Sequence, residues 1–378
     1  MGLHSFQHLS LSSQNQLRPH PLFILTSHLS LVVIFPRAYG AFVLLSASIV
    51  SALPKRQSAP SNFTFSTVGT VPGAVNLENL AVRHNGDVLV TSIRSNTLFQ
   101  VSPSRNTTAS EVVQIPDVTG LTGIVELEKD VFYVAGTNLT GSSSSPGSNG
   151  VWRVDLRNSS IDGNGCVVQV IALSQVADLL STQLINGLSS LAPNDTSHLL
   201  FSDSVAGSVS ILDVETGLSE VVVKDPSMNV VPGGFNVGVN GIETYGDRLF
   251  FTSLDQHLFA SASISLSTGH ATGPVVPIAN ITGSADNFAL SRDGRTAFIS
   301  LNGGNAILEV DIASKSSRYI ESPLLESISS VALSGSRDQF GSESLYISGA
   351  IMVDNTTTIG GLFKAQPCFG VGCAVQGI

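Results

Sequence analysis

Four side chains with oxygen donors stand at equivalent places in repeated segments of this chain: Glu78, Asn186, Asn240 and Asp286. Each begins a repeat in which a short apolar stretch is followed by a turn and a second apolar stretch. Carboxylate and amide oxygens are hard ligands, which suit calcium or magnesium better than soft metals. They also hydrogen-bond to polar substrates. If the fold brings the repeats to one point, the sequence predicts a polar site there with two carboxylates.

Turn chemistry is the alternative explanation, because Asn-Gly and Asp-Gly pairs are common in tight turns. Other pairs already occupy the turns of these repeats, namely Asn85-Gly86, Gly246-Asp247 and Asp293-Gly294. Asn186, Asn240 and Asp286 come earlier, where the first strand of each repeat begins. We therefore favour convergence of these side chains over a purely structural role.

The repeats recur at the spacing of β-propeller blades. Two weaker copies, which begin at Thr122 and Ser329, complete a series of six. The intervals of roughly 40 to 65 residues suit four-stranded blades, and equivalent positions of all blades point to the same end of the central channel. The sequence therefore predicts an all-β fold, a six-bladed β-propeller with four-stranded blades.

Composition agrees with an all-β, exported protein. Of the 378 residues only 12% are charged, whereas 42% are hydrophobic. Amphipathic helices are scarce, and the Leu-rich stretch from Leu173 to Leu184 fits either one short helix or part of a long loop. We expect residues 57–378 to form a single propeller domain, since a closed propeller accommodates this length as one unit.

Residues 1–56 have the features of a signal and processing segment. Two apolar stretches, Leu22 to Pro36 and Ala41 to Pro54, precede the dibasic pair Lys55-Arg56. Neither contains the ~18 uninterrupted apolar residues of a spanning helix, so we expect no stable membrane anchor. Either the signal is unusually long or residues 1–40 do not belong to the product. We expect a protein of the secretory pathway, secreted or vesicular.

Seven Asn-x-Ser/Thr sequons support export, because most lie in polar connections where a glycan would be solvated. They are Asn62, Asn106, Asn138, Asn158, Asn194, Asn280 and Asn355. The three cysteines permit one disulfide. Cys368 and Cys373 could close a small loop, or one of them could reach Cys166.

Charge and missing motifs narrow the function further. A net charge of −10 without a basic stripe argues against a nucleic-acid partner. Walker and dinucleotide-binding fingerprints are absent, so we expect no nucleotide cofactor. The Gly-x-Ser-x-Gly and His-Glu-x-x-His motifs are missing too. His257 is a candidate base, with a structural role as the alternative. We expect a monomer that acts on small-molecule substrates.

The repeats resemble the gluconolactonase and senescence-marker-protein (regucalcin) superfamily of six-bladed propellers, over about residues 65 to 365. In that superfamily a Glu, two Asn and an Asp hold one divalent cation. The resemblance implies that Glu78, Asn186, Asn240 and Asp286 bind Ca²⁺ or another divalent cation. The superfamily's Glu-Gly-Pro is Glu78-Asn79-Leu80 here, and the arginine that often accompanies sugar-lactone recognition has no equivalent before Asn186.

Several segments are similar to secreted fungal proteins of this superfamily: Val151-Trp-Arg-Val-Asp-Leu, Asp225-Pro-Ser-Met and Val239-Asn-Gly-Ile. Some such proteins are hetero-Diels–Alderases that couple a tropolone quinone methide to a sesquiterpene such as humulene. The resemblance therefore implies a cyclisation enzyme of secondary metabolism.

Three functions remain open, and we rank cyclisation first. It would need no cofactor, since the four polar residues would hold the reactants in a near-attack geometry and stabilise developing charge. Further substrate contacts would come from Phe235, Phe288, Asn79, Asn287 and His257. Metal-dependent lactone hydrolysis ranks second. A propeller that only binds ranks third, because it would not need carboxylates in a closed channel.

Overall fold

The computed structural model describes residues 63–140, 143–163, 166–168, 172–337, 343–354 and 357–368, without the side chains of residues 106, 107, 336 and 337. The predicted segment 1–56 lies outside the described residues. So do Asn62, Asn355 and Cys373, together with the side chain of Asn106.

Nearly all of the described chain consists of β-strands and the turns between them. The strands are β1 (Phe63–Val71), β2 (Leu77–Val82), β3 (Val88–Ser92), β4 (Ser95–Ser102), β5 (Asn106–Gln114), β6 (Gly120–Glu128), β7 (Val131–Thr137), β8 (Leu139–Thr140), β9 (Ser143–Ser144), β10 (Gly150–Asp155), β11 (Ala172–Asp178), β12 (Ile185–Ser190), β13 (His198–Asp203), β14 (Ser208–Asp213), β15 (Ser219–Lys224), β16 (Val239–Tyr245), β17 (Arg248–Ser253), β18 (Leu258–Ser263), β19 (Val276–Asn280), β20 (Ser284–Leu290), β21 (Thr296–Asn302), β22 (Ala306–Asp311), β23 (Ser317–Glu321), β24 (Ile328–Arg337), β25 (Glu343–Met352) and β26 (Thr358–Pro367). Within the described ranges, the helical segments are two short 3-10 turns, Pro226–Met228 and Pro323–Leu325. None of the helical structure described is long and apolar enough to cross a membrane.

Apart from β8 and β9, which form a two-stranded sheet of their own, the strands form six four-stranded units. Four are separate sheets: β6-β7-β10-β11, β12 to β15, β16 to β19, and β20 to β23. The other two, β2 to β5 and β24-β25-β26-β1, belong to one eight-stranded sheet. Their junction is a parallel pairing of β1 with β5 at the single pair Thr70 and Thr108, so we treat each half as a blade. We number the blades one to six from β2 to β26.

The innermost strands form a closed ring. In the order β2, β6, β12, β16, β20, β24, each strand contacts the next, and β24 contacts β2. Strand β1 completes the sixth blade by antiparallel pairing with β26, from Phe63 opposite Pro367 to Val71 opposite Gly360. All six repeat starts identified in the sequence lie on these innermost strands. The predicted all-β propeller is therefore confirmed.

The Leu173 to Leu184 stretch does not form a helix, and that alternative was wrong. Residues Ala172–Asp178 instead form β11, the outermost strand of the second blade, which pairs with β10. Leu173 packs half-buried against the apolar cluster between the first and second blades. Its apolar character thus reflects contact between blades and not the apolar face of a helix.

The hydrophobic core lies between neighbouring blades. Leu200 and Val209 of the third blade belong to the same buried cluster as Val239 and Phe251 of the fourth. Between the fourth and fifth blades, Phe259 packs edge-on against Phe288, with ring centroids 5.1 Å apart. Burial of such side chains is the main favourable contribution to joining the blades.

Each innermost strand is irregular at the same place. The pairing register of β2 with β3 shifts between Leu77 and Leu80, as expected of a β-bulge. Matching shifts occur in β6, β12, β16, β20 and β24. The residues at these shifts include Glu78, Thr122, Asn186, Asn240, Asp286 and Ser329. The bulge is thus the local feature that places the predicted site residues.

A buried hydroxyl on the second strand of a blade satisfies the backbone at the bulge. The Thr252 hydroxyl accepts a hydrogen bond from the Gly241 N–H (3.0 Å) and donates to the carbonyl oxygen of Asp286 in the next blade (2.6 Å). Ser202 bridges Gly187 and Asn240 in the same way, at 2.8 and 2.7 Å.

The same device recurs around the ring. Hydroxyls of Thr91, Ser300 and Ser348 donate to the bulge carbonyls of the following blades, at 2.6 Å each. The second blade differs, because Ala135 occupies the position at which the other second strands have Ser or Thr. At its boundary with the third blade, the Thr122 hydroxyl donates to the Ile185 carbonyl instead (3.0 Å). We call these contacts the hydroxyl ring.

Close approach between blades requires glycine at three of the bulges, and at Gly123 a Cβ atom would clash with the carbonyl oxygen of Asn186. A Cβ atom at Gly241 would lie 2.4 Å from Oδ1 of Asn287, and one at Gly187 would lie 2.7 Å from the carbonyl oxygen of Asn240. The Asn-Gly pairs that opened the repeats therefore have a packing role at the glycine.

We predict that Thr252→Val destabilises the protein by about 1–3 kcal/mol, because the isosteric valine leaves the Gly241 N–H and the Asp286 carbonyl buried without a partner. Thr272→Val is the matched control, since Thr272 is exposed. Denaturant unfolding of both variants measures the difference. Equal stability of the two variants would contradict a structural role of the hydroxyl ring.

Candidate functional site

A cavity of about 240 Å³ lies where the innermost strands begin, and all four predicted polar residues line it. Glu78, Asn186, Asn240 and Asp286 are each less than 10% exposed. Thr122 and Ser329, from the bulges of the second and sixth blades, line it as well. We call this space the acidic cavity.

Hydrogen bonds connect several of these side chains. Asn240 donates from Nδ2 to Oδ1 of Asp286 at 3.0 Å. Asn302, at the end of β21, donates to the Ser329 hydroxyl at 3.4 Å. In contrast, Oδ1 of Asn186 is buried and has no hydrogen-bond partner among the described residues. A buried acceptor without a donor is costly, so this oxygen is suited to a ligand.

The pKa values of both carboxyl groups are raised. Burial raises the pKa of Glu78 well above its ordinary value, and the nearby Asp286 carboxylate raises it further. Burial also raises the pKa of Asp286, to about 6, although hydrogen bonds from Asn302 and Asn240 oppose the shift. The cause is the same for both groups, since low-polarity surroundings penalise the charged form.

The donor set fits a divalent cation. The Asp286 carboxylate raises the pKa of Glu78, and Oδ1 of Asn186 has no donor in the described part of the chain. A positive charge between these oxygens would stabilise all three groups. In the described ranges, no three His, Cys, Asp or Glu side chains are grouped for a metal ion. A cation here would therefore depend on the oxygens of Asn186 and Asn240 in addition to the two carboxylates.

Five apolar side chains complete the wall together with the polar residues Asn76 and Ser327. The apolar residues are Ile93, Leu139, Leu184, Val237 and Leu254, from the segments that flank the innermost strands. The acidic cavity thus combines a polar ring with apolar walls. Such a combination suits a lipophilic ligand that carries a polar group, because apolar surface supplies affinity and the polar groups fix orientation.

The other predicted substrate contacts lie elsewhere. Phe235 is 61% exposed, on a loop whose backbone donates to Asp255, and it is absent from the cavity wall. Phe288 is buried and lines a second cavity. His257 is exposed in a turn, with Nδ1 3.1 Å from the Gly283 carbonyl oxygen.

Asn79 and Asn287 contact each other and do not line the acidic cavity. The amide of Asn287 donates from Nδ2 to Oδ1 of Asn79, which links the fifth blade to the first. Nδ2 of Asn79 also reaches the Thr122 carbonyl at 3.3 Å. These two residues therefore connect blades at the level of the bulges.

Sequence reasoning missed Thr122, Ser329 and Asn302 as wall residues, as well as the hydroxyl ring. A signal was present for the ring. Second strands end with an apolar run followed by Ser or Thr, as in Val88-Leu-Val-Thr91 and Leu249-Phe-Phe-Thr252. The position of Thr122 and Ser329 at repeat starts was also visible, but their short hydroxyls did not suggest a ligand set.

Three predicted glycosylation sites, Asn158, Asn194 and Asn280, are exposed. Asn138 is half-buried, and its amide donates to the Asp117 carbonyl oxygen at 3.2 Å. Among the cysteines, Cys166 is a free thiol and Cys368 is disulfide-bonded. The predicted partner Cys373 lies outside the described residues.

Sequence comparison finds a fungal relative. The chain is 26% identical over 225 residues to asR5 of Sarocladium schorii, a protein named as a candidate hetero-Diels-Alderase. The alignment covers 52% of this chain and 53% of asR5, so the chain spans about half the length of this curated relative. No protein-family profile matches the chain.

Structure comparison finds propellers. Regucalcin of Agrobacterium tumefaciens strain C58, a calcium-binding protein, matches with a TM-score of 0.55 at 13% identity, over 81% of this chain and 96% of that one. An aldose sugar dehydrogenase of Streptomyces coelicolor, solved with PQQ bound, matches with a TM-score of 0.51 at 15% identity, over 81% and 99%. At these identities the likeness establishes the fold alone. The chain thus resembles regucalcin-like propellers in fold and a candidate hetero-Diels-Alderase in sequence.

We predict that, in the presence of a chelator, the protein becomes less stable as the pH rises from 5 to 7.5. In the unfolded chain Asp286 loses its proton near its ordinary pKa of 3.8, whereas the folded state holds the proton up to about pH 6. The folded state therefore binds more protons across this interval, and the free energy of unfolding falls by about 1.4 kcal/mol from this group. Glu78 acts in the same direction.

Thermal melting in chelator at the two pH values, for the unmodified protein and for Asp286→Asn, measures this effect. The variant should lose much of the pH dependence. Added calcium should raise the melting temperature of the unmodified protein more at pH 7.5 than at pH 5, because protons compete with the cation. A pH dependence that is identical in Asp286→Asn would contradict the prediction.

Proposed function

We propose that this protein is a cyclisation enzyme of secondary metabolism that catalyses a hetero-Diels–Alder reaction between a quinone methide and a terpene alkene. The observation that carries the proposal is the protonated acid in an apolar cavity: Glu78, with a strongly raised pKa, beside the walls formed by Leu184, Val237 and Leu254. The similarity to asR5 supports the same reaction class.

Glu78 acts as a hydrogen-bond donor in this proposal. Its carboxyl O–H donates to the carbonyl oxygen of the quinone methide and draws electron density from the methide carbon, which becomes more electrophilic. The alkene then forms one C–C bond at that carbon and one C–O bond at the carbonyl oxygen. All atoms of both reactants remain in the product, and the proton stays on Glu78.

The cavity walls account for the remaining acceleration. Apolar side chains bind the hydrocarbon alkene and exclude water, which would otherwise add to the quinone methide. The Asn240 amide donates to Asp286 and so orients the carboxyl group on the fifth blade. Positioning and a preorganised donor are therefore the two contributions that we assign to the protein.

Divalent-metal-dependent lactone hydrolysis is the second candidate. The buried, unpartnered Oδ1 of Asn186 favours it, since this oxygen completes a ligand set with Glu78, Asn240 and Asp286. The chemistry that such an ion supplies is polarisation of a carbonyl and activation of water. In that case both carboxyl groups would be ionised and Glu78 would be no hydrogen-bond donor.

We predict that Glu78→Gln lowers the catalysed rate of cycloaddition about 10- to 100-fold, because an amide is a weaker donor than a carboxylic acid. The assay generates a tropolone-derived quinone methide in the presence of humulene and compares product formation and stereoisomer ratio with the uncatalysed reaction. Glu111→Gln is the control, since Glu111 is exposed on the outer strand β5. It should behave as the unmodified protein.

Addition of a chelator distinguishes the two candidate reactions. Cyclisation through Glu78 should survive chelator, whereas lactone hydrolysis should require added Ca²⁺ and disappear with chelator. A Glu78→Gln/Asp286→Asn double variant with unchanged turnover in both assays would remove the acidic cavity from either mechanism.

We also propose that the protein enters the secretory pathway and carries glycans at Asn158, Asn194 and Asn280, whose exposure supports modification. Expression in a eukaryotic secretory host, followed by enzymatic deglycosylation and peptide mass spectrometry, should find deamidated asparagine at these positions. An unmodified Asn194 and Asn280 in secreted protein would contradict the proposal.

A further inference from the structure

A second cavity lies at the opposite end of the channel. It has a volume of about 320 Å³ and is lined by later residues of the innermost strands, including Leu80, Ile124, Leu188 and Leu290. The acidic cavity takes its wall residues from the beginning of the same strands. The bulges therefore lie between the two cavities. We call the second space the Glu243 cavity.

A polar contact lies between the two spaces. Glu78 and Asp286 line the acidic cavity, while Leu80 and Asn287 line the Glu243 cavity. Asn79 stands between Glu78 and Leu80, and it accepts the hydrogen bond from Asn287 that links the first and fifth blades. A ligand of the Glu243 cavity therefore binds apart from the four polar residues of the acidic cavity.

Glu243 is the only charged side chain among the described residues that line this cavity. Its Oε2 accepts a hydrogen bond from the Leu290 N–H at 2.9 Å. Its Oε1 has no hydrogen-bond partner in the described part of the chain, and no ion pair to Glu243 is present there. One carboxyl oxygen thus remains available to a ligand.

Two neighbouring hydroxyl groups, those of Ser189 and Thr244, already have hydrogen-bond partners. The Thr244 hydroxyl donates to the Ser190 carbonyl at 2.8 Å, and the Ser189 hydroxyl donates to the same oxygen at 3.1 Å. Ser189 also accepts from the Thr244 N–H at 3.2 Å. These bonds join the third and fourth blades and leave Glu243 as the acidic group that can orient a ligand.

The rest of the wall is mainly apolar. Ile242 and Phe288 flank Glu243 and Asn287 in sequence, and Val331 and Leu333 approach from the sixth blade. Glu243 is half-buried among these side chains, and its free carboxyl oxygen gains from any partner that satisfies it. Small-molecule sites have this composition, with apolar walls and a few convergent polar groups.

We propose that the Glu243 cavity is a separate binding site for a small lipophilic molecule with a carbonyl oxygen, which accepts a hydrogen bond from the protonated Glu243 carboxyl. The Leu290 N–H occupies one oxygen, so the O–H lies on the other. A neutral ligand is favoured over a cationic amine because no second charged side chain lines the cavity in the described ranges.

The protonation state supports this choice of ligand. Burial raises the pKa of Glu243 to about 8, against the smaller opposing effect of the Leu290 hydrogen bond. At neutral pH the group is therefore mostly an acid and a hydrogen-bond donor. No other titratable side chain lines the cavity in the described ranges, so loss of binding above pH 8 would report on Glu243 alone.

Three probes of nearly equal shape test the proposal: benzophenone, diphenylmethane and diphenylmethylamine. Benzophenone has the carbonyl acceptor, diphenylmethane lacks it, and diphenylmethylamine carries a cationic ammonium at neutral pH. Calorimetric titration of the full-length protein at pH 6.5 should show benzophenone binding about tenfold more tightly than diphenylmethane, the effect of one buried hydrogen bond. Its affinity should fall between pH 7 and 9.

Two substitutions of Glu243 distinguish the contribution of its hydrogen bond from that of the cavity shape. Glu243→Gln keeps an acceptor for the Leu290 N–H and a donor for the ketone, so it should retain the preference for benzophenone and lose the pH dependence. Glu243→Leu should lose the preference. Both variants are checked by thermal melting, and Glu243→Gln keeps the test valid if Glu243→Leu does not fold.

Photochemical crosslinking by bound benzophenone identifies the cavity in which the probe binds. The expected label lies in peptides that contain Ile124, Leu188 or Leu290. Label confined to peptides with Val237 or Leu254 would move the binding to the acidic cavity and overturn the proposal. Tighter binding of diphenylmethylamine would overturn the ligand class, and equal binding of benzophenone and diphenylmethane would overturn the role of Glu243.

Discussion

The hydroxyl ring is the interaction on which the rest of the structure depends. Innermost strands of neighbouring blades do not share a β-ladder, and each strand also loses ladder hydrogen bonds at its bulge. A single hydroxyl such as Thr252 serves an N–H of its own blade and a carbonyl of the next. It therefore satisfies two buried backbone groups and fixes the spacing between blades at the same time. Because the carbonyl belongs to Asp286, the same bond holds the backbone from which a site carboxyl projects.

This arrangement forces acidic groups into a space with little water. Glu78 and Asp286 approach from blades that are two apart in the ring, and the Asp286 carboxylate raises the pKa of Glu78 beyond the effect of burial. Such a pair is stable as an acid pair or with a cation, and unstable as two free carboxylates. The two candidate reactions correspond to these two states. Proton and cation compete for the same oxygens, so the occupancy of the cavity selects its chemistry.

Much of the fold was predictable because blade repeats leave a periodic pattern in the sequence. The repeat starts at Glu78, Asn186, Asn240 and Asp286 identified the innermost strands and placed their side chains at one end of the channel. The position of Phe288 was not predictable in this way, because the bulge between Ala285 and Phe288 changes the alternation of side chains and directs the ring to the other cavity. Pairing of β1 with β26 was equally hidden, since no local pattern encodes a contact between the two ends of a domain.

The bulges also explain why one channel has two unlike mouths. Residues before and at the bulge bring carboxyl and amide groups to the acidic cavity, while residues after it bring apolar side chains and Glu243 to the other. Strand β20 contacts both spaces: Asp286 lines the first, and the Leu290 N–H binds Glu243 in the second. Between them, Asn287 binds Asn79 across the ring. One strand thus carries a carboxyl group of the acidic cavity and the N–H that holds Glu243 in the other, so β20 is the element that the two cavities share.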